Sequence, residues 1–348
     1  MNSLDDVAAM KQKDPSGVLA STAMFPDQCQ QAWEESQKVV FPDEYKKVKN
    51  IVVAGMGGSR FTPKTIGALY RNKIKVSYEI CEDYTVPGYV NSDSLVILCS
   101  YSGTTEEVLA AGEDARKKGA KIAGIMSKKM DVPGYYFDPK FNPCGQPRIG
   151  GGYLLIGHLG LLKALGFVEA EDKEVTDAIA FAREIGKKYA AEVLTEQNPA
   201  KKLALLLKDK HPFIITAEFL KGFGNGFANQ INETAKMISD YRYISELNHH
   251  LLEGLSHPDS IRQNGLFLFF LSHCYSEPVR KRFGITKDVV TKQQLAAEDI
   301  ELTGPDKISQ VLEAYTLSGF TTYYMAMLYD ADPVAIPWVD YFKAQLAK

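Results

Sequence analysis

A cluster of hydroxyl-bearing residues is the part of this sequence best suited to bind an anion. Four of them surround Gly103, between the apolar run 95–99 and a segment with helical periodicity at 107–116. They are Ser100, Ser102, Thr104 and Thr105. The first turn of a helix carries unpaired N–H groups and a partial positive charge, so hydroxyls gathered there can surround a phosphate. The alternative is a capping box formed by Thr104 and Glu107, with the other hydroxyls as ordinary turn residues.

Strands and helices alternate around this cluster in the manner of a doubly wound α/β sheet. Four apolar segments are predicted as strands: residues 51–54, 75–80, 95–99 and 121–126. Such strands, linked by helices, are most simply parallel, and right-handed crossovers bring the loops after the first and third strands to one carboxyl edge. Ligands of these sheets bind at that edge, so we expect the hydroxyl loop to lie there.

The loop after the first strand is rich in glycine and reads Gly55-Met56-Gly57-Gly58-Ser59. A nicotinamide cofactor is one interpretation, because Gly55 and Gly57 follow a strand. However, the dinucleotide fingerprint requires a small residue at its third position, which is Arg60 in this chain. We therefore expect no nicotinamide site. Gly57, Gly58 and Ser59 can still let a ligand approach the backbone, although a tight strand-to-helix turn would use the same glycines.

The second half of the chain repeats the pattern more loosely. Residues 212–216 and 265–271 are predicted strands, and residues 226–239 are a predicted helix between them. The segment 151–208 is predicted to be helical, and it most simply bridges the two halves.

Proline and glycine residues, which interrupt helices and strands, indicate the remaining boundaries. Residues 139–152 are rich in proline and glycine and are predicted to form a loop, whereas helices are expected at 306–328 and 338–346. The fold class predicted is α/β, with two doubly wound parallel-sheet subdomains and flanking and C-terminal helices. The expected divisions are residues 1–150, a helical connection at 151–208, and residues 209–348.

The composition of the 348 residues is that of a globular protein, with 45% hydrophobic and 24% charged residues. A formal net charge of −3 provides no basic surface for nucleic acid or an acidic membrane, so the expected partner is a small molecule. The five cysteines form no CxxC pair, no metal-ligand spacing is evident, and separate thiols suit a reducing compartment. We expect a cytoplasmic protein, since no apolar run reaches membrane-spanning length and residues 1–17 lack a signal-peptide core.

Four motifs occur in the order and spacing of a known family. They are Gly55-Met56-Gly57-Gly58-Ser59, Ser100-Tyr101-Ser102-Gly103-Thr104-Thr105-Glu106-Glu107, Asn232-Glu233-x-x-Lys236 and Glu246-Leu247-Asn248-His249. In these motifs the sequence resembles the bifunctional phosphoglucose/phosphomannose isomerases, which belong to the wider group of sugar isomerase (SIS) domain proteins. The first two motifs indicate a SIS domain, and the last two are more specific to the isomerases. The resemblance extends over nearly the whole chain.

The resemblance implies two SIS-type subdomains and the isomerisation of glucose 6-phosphate or mannose 6-phosphate to fructose 6-phosphate through an enediolate, without a cofactor. The base would be Glu233, because a carboxyl group in a partly dry cleft has a pKa raised toward neutrality. His249 would open the sugar ring, since imidazole exchanges protons near neutral pH, and the neighbouring His250 is the alternative. The family's histidine enters the site from the neighbouring subunit, which implies a homodimer with shared sites.

The same resemblance assigns roles to two cationic residues. Arg148, in a Pro-Arg element, would stabilise the negative charge of the enediolate, and the alternative is a solvated loop arginine. Lys343 would reach over the sugar ring. The substrate-binding residues implied by the resemblance are Gly57, Gly58, Ser59, Ser100, Ser102 and Thr105.

Two other functions use the same fold. A non-catalytic SIS protein that binds a sugar phosphate for regulation would keep the hydroxyl loop but would not need Glu233 or His249. An aminosugar-phosphate isomerase is the other alternative, and the last two motifs argue against it. Arg60 departs from the small and apolar residues that usually follow the glycine motif, and it could add a charge to the phosphate site.

Overall fold

The computed structural model of the chain describes residues 3–346 and contains two parallel β-sheets surrounded by helices. The strands of this range are β1 (Asn50–Ala54), β2 (Ser77–Cys81), β3 (Ser94–Cys99), β4 (Lys121–Met126), β5 (Gly134–Tyr136), β6 (His211–Thr216), β7 (Asp240–Tyr243), β8 (Gly265–Leu271) and β9 (Ala296–Glu301). Its α-helices are α1 (Val7–Lys13), α2 (Val18–Ala23), α3 (Phe25–Ser36), α4 (Gly58–Leu69), α5 (Glu106–Lys117), α6 (Gly151–Ala164), α7 (Asp172–Lys187), α8 (Pro199–Leu207), α9 (Lys221–Thr234), α10 (Ile244–Leu247), α11 (Leu251–Gly254), α12 (Ile261–Asn264), α13 (Glu277–Lys292), α14 (Lys307–Leu328) and α15 (Pro337–Leu346). The predicted α/β class with two parallel sheets is confirmed.

The first sheet has the strand order β2-β1-β3-β4-β5, and all neighbouring strands are parallel. The interior strands β1 and β3 are buried almost throughout, which explains why they read as continuous apolar runs. Ala54 pairs with Leu98, so the loops after β1 and β3 leave the sheet side by side. The short strand β5 was not predicted. It pairs where a Cβ atom on Gly134 would lie 2.2 Å from the carbonyl oxygen of Gly124, so only glycine fits.

The second sheet has the order β7-β6-β8-β9, again with parallel neighbours. The two predicted strands are its buried interior members, β6 and β8. The edge strands β7 and β9 escaped prediction because they are only partly buried and carry charged residues such as Asp240 and Glu301. Strand prediction thus succeeded for the interior strands and for the edge strand β2, and it failed for the edge strands β5, β7 and β9.

The position predicted for the helix at 226–239 was wrong, since α9 runs from Lys221 to Thr234. Its first two turns contain three glycines, which lower helix propensity and conceal the true start. The helix ends before the predicted boundary because Lys236 adopts a positive φ of 57°. Residues 235–239 therefore form the connection to β7 and are not helical.

Helices α4 and α9 pack against each other in opposite directions. A Cβ atom added to Gly222 would lie 2.3 Å from the backbone nitrogen of Thr65, and one added to Gly226 would lie 2.9 Å from the ring of Phe61. In these contacts the residue number increases along α9 while it decreases along α4. The N-terminus of α4 therefore lies beside the C-terminus of α9. The two glycines are needed because the backbones approach so closely.

Helix α14 lies at the centre of the molecule. It is buried from Ile308 to Met327 and packs against α7, α8 and α9. One hydrophobic core extends through α6 and α14 to both sheets. Among the residues described, no helix combines the length and hydropathy that a membrane span requires.

Candidate active site

The glycine loop and the hydroxyl loop are joined by hydrogen bonds at the carboxyl edge of the first sheet. The backbone N–H of Tyr101 donates to Ser59 Oγ at 3.0 Å. The N–H of Gly103 donates to Ser100 Oγ at 3.1 Å, and Ser100 Oγ is hydrogen-bonded to Thr105 Oγ1 at 2.8 Å. The position expected for the hydroxyl loop is confirmed. We call the group formed by residues 57–59 and 100–105 the hydroxyl cradle.

The hydroxyl cradle has an open face. Gly57 has a φ of 49° and a ψ of −122°, and a Cβ atom added there would meet nothing within 4 Å. Ser102 and Thr104 are exposed, and their hydroxyl groups are hydrogen-bonded to each other at 2.8 Å. An anion of phosphate size can approach from this side.

The capping-box alternative is wrong. The N-cap residue of α5 is Thr105, and its side chain makes no hydrogen bond to the first-turn N–H groups. Thr104 Oγ1 is instead paired with Ser102, as described above. A helix start that lacks a side-chain cap leaves N–H donors and the positive end of the helix dipole available to an anion.

The loop that precedes α6 brings Arg148 to the hydroxyl cradle. Asn142 Nδ2 donates to the Tyr101 hydroxyl at 2.7 Å and to the carbonyl of Gln146 at 3.1 Å, which fixes this loop against the cradle. A Cβ atom on Gly58 would lie 3.5 Å from the carbonyl oxygen of Pro147. The residue after Pro147 therefore lies directly beside the glycine motif.

The Arg148 side chain is almost completely buried, with 2% exposure. Its Nε donates to Thr234 Oγ1 at 3.1 Å, and its Nη1 donates to Gln146 Oε1 at 2.9 Å. Its Nη2 donates to the carbonyls of Pro333 and Val334 at 2.6 and 3.0 Å. Burial lowers the pKa of this guanidinium group, and nearby Glu233 opposes that shift. The interpretation of Arg148 as a solvated loop residue is wrong.

Glu233 lies in the last turn of α9 and faces Arg148. Glu233 Oε2 is 3.5 Å from Arg148 Nη1, and the glutamate side chain is 33% exposed. Burial raises the pKa of its carboxyl group, while the charges of Arg148, Lys236 and Lys343 lower it. A partly dry carboxyl group with one accessible side is suited to act as a general base.

Lys343 belongs to α15, and its charge lies close enough to affect the Glu233 carboxyl group. The structure thus gathers Arg148, Glu233 and Lys343 into one cluster. Gly58 and Pro147 connect that cluster to the hydroxyl cradle. The roles predicted for these side chains in catalysis stay predictions.

His249 and His250 are exposed and follow α10, which begins where β7 ends. His250 Nε2 is 3.8 Å from Glu246 Oε1. Within residues 3–346, no hydrogen bond or ion pair joins either ring to Glu233. These histidines lie at the carboxyl edge of the second sheet, whereas Glu233 lies at the far end of α9. His249 therefore lies apart from Glu233 within one chain, and its role in this chemistry stays a prediction.

Arg60 is directed away from the open face of the hydroxyl cradle. Its Nη1 donates to Asn225 Oδ1 and its Nη2 to Glu82 Oε1, so the guanidinium group bridges the end of β2 and helix α9. The idea that Arg60 adds a charge to the phosphate site is not supported by these contacts. No group of three or more metal-ligating side chains occurs in the described part of the chain.

Sequence reasoning missed four contributors to the site. Thr234 and the carbonyls of Pro333 and Val334 hold Arg148, but nothing in their local sequence indicates a distant partner. Lys236 was part of a motif and received no role, although its charge affects Glu233.

Comparison with known proteins identifies the family. Residues 44–133 match the SIS domain family, and residues 196–346 match the family described as bacterial phospho-glucose isomerase C-terminal SIS domain. A bifunctional phosphoglucose/phosphomannose isomerase from Caldicellulosiruptor bescii is 32% identical, over 93% of this chain and 97% of that protein. This chain belongs to the bifunctional phosphoglucose/phosphomannose isomerase family.

A second relative agrees with this assignment to the phosphoglucose/phosphomannose isomerase family, and a solved structure has a similar fold. The protein of the same name from Thermoplasma acidophilum is 27% identical over 86% of this chain and 90% of its own length. The crystal structure of a hypothetical protein from Thermus thermophilus superposes with a TM-score of 0.71 at 15% identity, covering 95% of this chain and 90% of that one. The structural similarity shows the shared fold alone and confirms the predicted architecture, whereas the sequence similarity confirms the predicted resemblance.

Proposed function

We propose that this protein interconverts glucose 6-phosphate, and also mannose 6-phosphate, with fructose 6-phosphate. One observation carries the proposal: a continuous series of contacts links the hydroxyl cradle to the Glu233 carboxyl group through Gly58, Pro147 and Arg148. A phosphate held in the cradle would leave the carbon chain of a hexose extending toward that carboxyl group. Membership in the phosphoglucose/phosphomannose isomerase family supports the same substrate class.

The proposed reaction moves hydrogen within one molecule. Glu233 takes the proton from C2 of the open-chain aldose, and the electrons of that bond form the enediolate across C1 and C2. Glu233 then returns the proton to C1, while a proton moves from O2 to O1. Atoms and electrons balance without an oxidant or reductant, so the reaction needs no redox cofactor. A positioned base of this kind contributes about 10²–10⁴-fold in rate.

Arg148 would stabilise the negative charge that develops on the enediolate oxygens. Its guanidinium group is already fixed by Thr234 and by two backbone carbonyls, so it needs no rearrangement during the reaction. Lys343, on the exposed helix α15, would contribute a second positive charge from the open side. The open face of the cradle, with Gly57, Ser102 and Thr105, would hold the phosphate.

Ring opening of the substrate would use His249 of a second subunit. This assignment agrees with the fold of one chain, in which His249 lies at the carboxyl edge of the second sheet and Glu233 lies at the end of α9 that points away from that edge. A homodimer with shared sites is therefore part of the proposal. The expected location is the cytoplasm, which fits five cysteines that are all unpaired.

A coupled assay tests the proposed function directly. Purified protein is given fructose 6-phosphate without added metal, and glucose 6-phosphate is detected by an auxiliary dehydrogenase; mannose 6-phosphate is tested in the same way. We expect turnover by the unmodified protein and a loss of about 10²–10⁴-fold in kcat for Glu233→Gln. Sugar-phosphate binding by that variant should persist, because the cradle is intact.

The matched control is Glu298→Gln, which removes an exposed carboxylate from the edge strand β9. It should leave kcat unchanged. Binding of fructose 6-phosphate with no turnover by the unmodified protein would instead indicate a sugar-phosphate-binding SIS protein. Turnover by Glu233→Gln at the rate of the unmodified protein would contradict the proposed base.

A further inference from the structure

The helix that carries Glu233 ends in an unusual way. Lys236 has a left-handed φ of 57°, and the N–H of Met237 donates to the carbonyl of Ile231 at 3.4 Å. Glycine is favoured at a left-handed residue that follows a helix, because a Cβ atom strains this conformation. A lysine is kept here despite that strain.

Other helices of the chain show the usual solution. Helices α5 and α6 are each followed by a left-handed glycine, Gly119 and Gly166, with a φ of 78°. The N–H of Ala120 donates to the carbonyl of Ala115 at 3.1 Å, and that of Phe167 to the carbonyl of Leu162 at 3.0 Å. These two helices use glycine at the left-handed position, whereas α14 is followed by Asp330 with a φ of 54°.

Helix α13 provides a matched comparison. It ends at Gln294, with a φ of 65°, and the N–H of Leu295 donates to the carbonyl of Val290 at 3.1 Å. This residue is, like Lys236, a left-handed residue that carries a side chain, but it lies after the last turn of α13, away from Glu233. Substitutions at Gln294 therefore report the effect of strain alone.

The side chain of Lys236 turns back onto the catalytic helix. Its Nζ donates to the backbone carbonyl of Glu233 at 2.5 Å. The charged groups that face it are Glu233, Arg148 and Asp332. Burial, followed by the charge of Arg148, lowers the pKa of Lys236 to about 8.

The place of Glu233 in its helix explains why an additional cation is useful there. Glu233 lies in the last turn of α9, where the negative end of the helix dipole disfavours a carboxylate. Burial disfavours the ionised form as well. The charges of Arg148, Lys236 and Lys343 oppose both effects.

We propose that Lys236 is a positioning residue for the isomerase reaction: by bonding the carbonyl of Glu233 and adding a positive charge beside it, Lys236 fixes the last turn of α9 and keeps the Glu233 carboxylate ready to accept a proton. This inference rests on the proposed function. It gives a physical reason for a lysine at a position where glycine would be less strained.

Three substitutions of Lys236 separate charge from strain. Lys236→Gly removes the charge, the bond to the Glu233 carbonyl and the strain; Lys236→Met removes the charge and the bond but keeps the strain; Lys236→Arg keeps the charge and the strain. The control Gln294→Gly relieves left-handed strain without changing a charge. We expect Gln294→Gly to raise the melting temperature more than Lys236→Gly, which also loses the bond to the Glu233 carbonyl, while only the substitution at 236 lowers kcat.

Loss of the charge should raise the pKa of Glu233 by about one unit, which lowers kcat roughly tenfold for Lys236→Gly and Lys236→Met on the acid limb, where Glu233 is mostly protonated, and by less where it is mostly ionised. Lys236→Arg should retain most of the activity. The acid limb of the kcat/KM profile, which reports ionisation of Glu233 in the free enzyme, should move to higher pH in Lys236→Met. An alkaline limb near pH 8 that reflects Lys236 should disappear in Lys236→Arg, since arginine stays charged.

The outcomes separate this inference from the proposed function. Lys236→Gly and Lys236→Met enzymes with the kcat and pH profile of the unmodified enzyme would show that Lys236 only caps the helix, and would overturn the inference alone. An unmodified protein that binds fructose 6-phosphate without converting it would overturn both proposals.

Discussion

Replacement of Arg148 by lysine should loosen the segment at residues 330–336, which precedes α15, and should reduce activity at the same time. Arg148 serves three separate parts of the chain: Thr234 at the end of α9, Gln146 in its own loop, and the carbonyls of Pro333 and Val334. Lysine keeps the charge but carries a single nitrogen at the end of its side chain. One nitrogen cannot replace the planar group that bonds Thr234 and both carbonyls.

The magnitude follows from the burial of these groups. The Arg148 side chain is 2% exposed. The carbonyl and hydroxyl groups that it contacts would therefore have little access to water if the guanidinium group were removed. Hydrogen bonds from a charged donor contribute about 1.5–3 kcal/mol each, and breaking a buried charged cluster costs about 3–5 kcal/mol. We therefore expect Arg148→Lys to lower the free energy of unfolding by about 3–5 kcal/mol and the melting temperature by roughly 5–10 °C.

Thermal unfolding, isomerase activity and limited proteolysis together test this prediction. Cleavage should become faster around residues 330–336, because Arg148 no longer holds that segment against α9. The control Arg183→Lys concerns an exposed pair with Asp27, in which both side chains are about 40% exposed, and should cost less than about 1 kcal/mol. If Arg148→Lys unfolds within one or two degrees of the unmodified protein and is cleaved no faster, the structural role assigned to Arg148 is incorrect.

Three further predictions concern the cradle and the histidines. Thr105→Val removes a hydroxyl bonded to Ser100 and should raise KM for fructose 6-phosphate about tenfold with little change in kcat, as initial-rate kinetics can measure. Gly57→Ala meets no clash but forces alanine into a strained backbone region, so calorimetry should show a loss of about 1–3 kcal/mol, and an unchanged melting temperature would contradict this. His249→Asn should slow turnover while His250→Asn should not, and equal effects would remove the preference for His249.

Burial made strands easier to predict from the sequence, although the half-exposed edge strand β2 was also predicted. Strands β3 and β8 lie inside their sheets, and an uninterrupted apolar run such as residues 266–270 has few other interpretations. Strand β9 carries Glu298, Asp299 and Glu301, whose polar pattern reflects a half-exposed edge and resembles a loop. Strand β5 has three residues, too few for a periodic pattern. Edge strands depend on the sheet they join, and that information lies elsewhere in the chain.

Some features of the candidate site could also be predicted from the sequence, and others could not. The hydroxyl loop could be located because strand order and crossover handedness fix where the loop after β3 emerges. The role of Glu233 came from the resemblance to the isomerases, since one glutamate on a helix has no distinctive pattern. The bonds from Arg148 to Pro333 and Val334 join residues far apart in sequence, so they appear only when the chain is folded.

The opposite directions of α4 and α9 explain why the chemistry concentrates at one sheet. Helix α9 leaves the carboxyl edge of the second sheet and ends with Glu233 at its far end, beside the first turn of α4. Helix α4 begins at the carboxyl edge of the first sheet, directly after Gly57. Glu233 therefore lies on a helix that follows a strand of the second sheet, but its position is beside the carboxyl edge of the first sheet. The close contacts at Gly222 and Gly226 set this arrangement, so a bulky residue at either glycine should separate Glu233 from the hydroxyl cradle without altering a residue of the site.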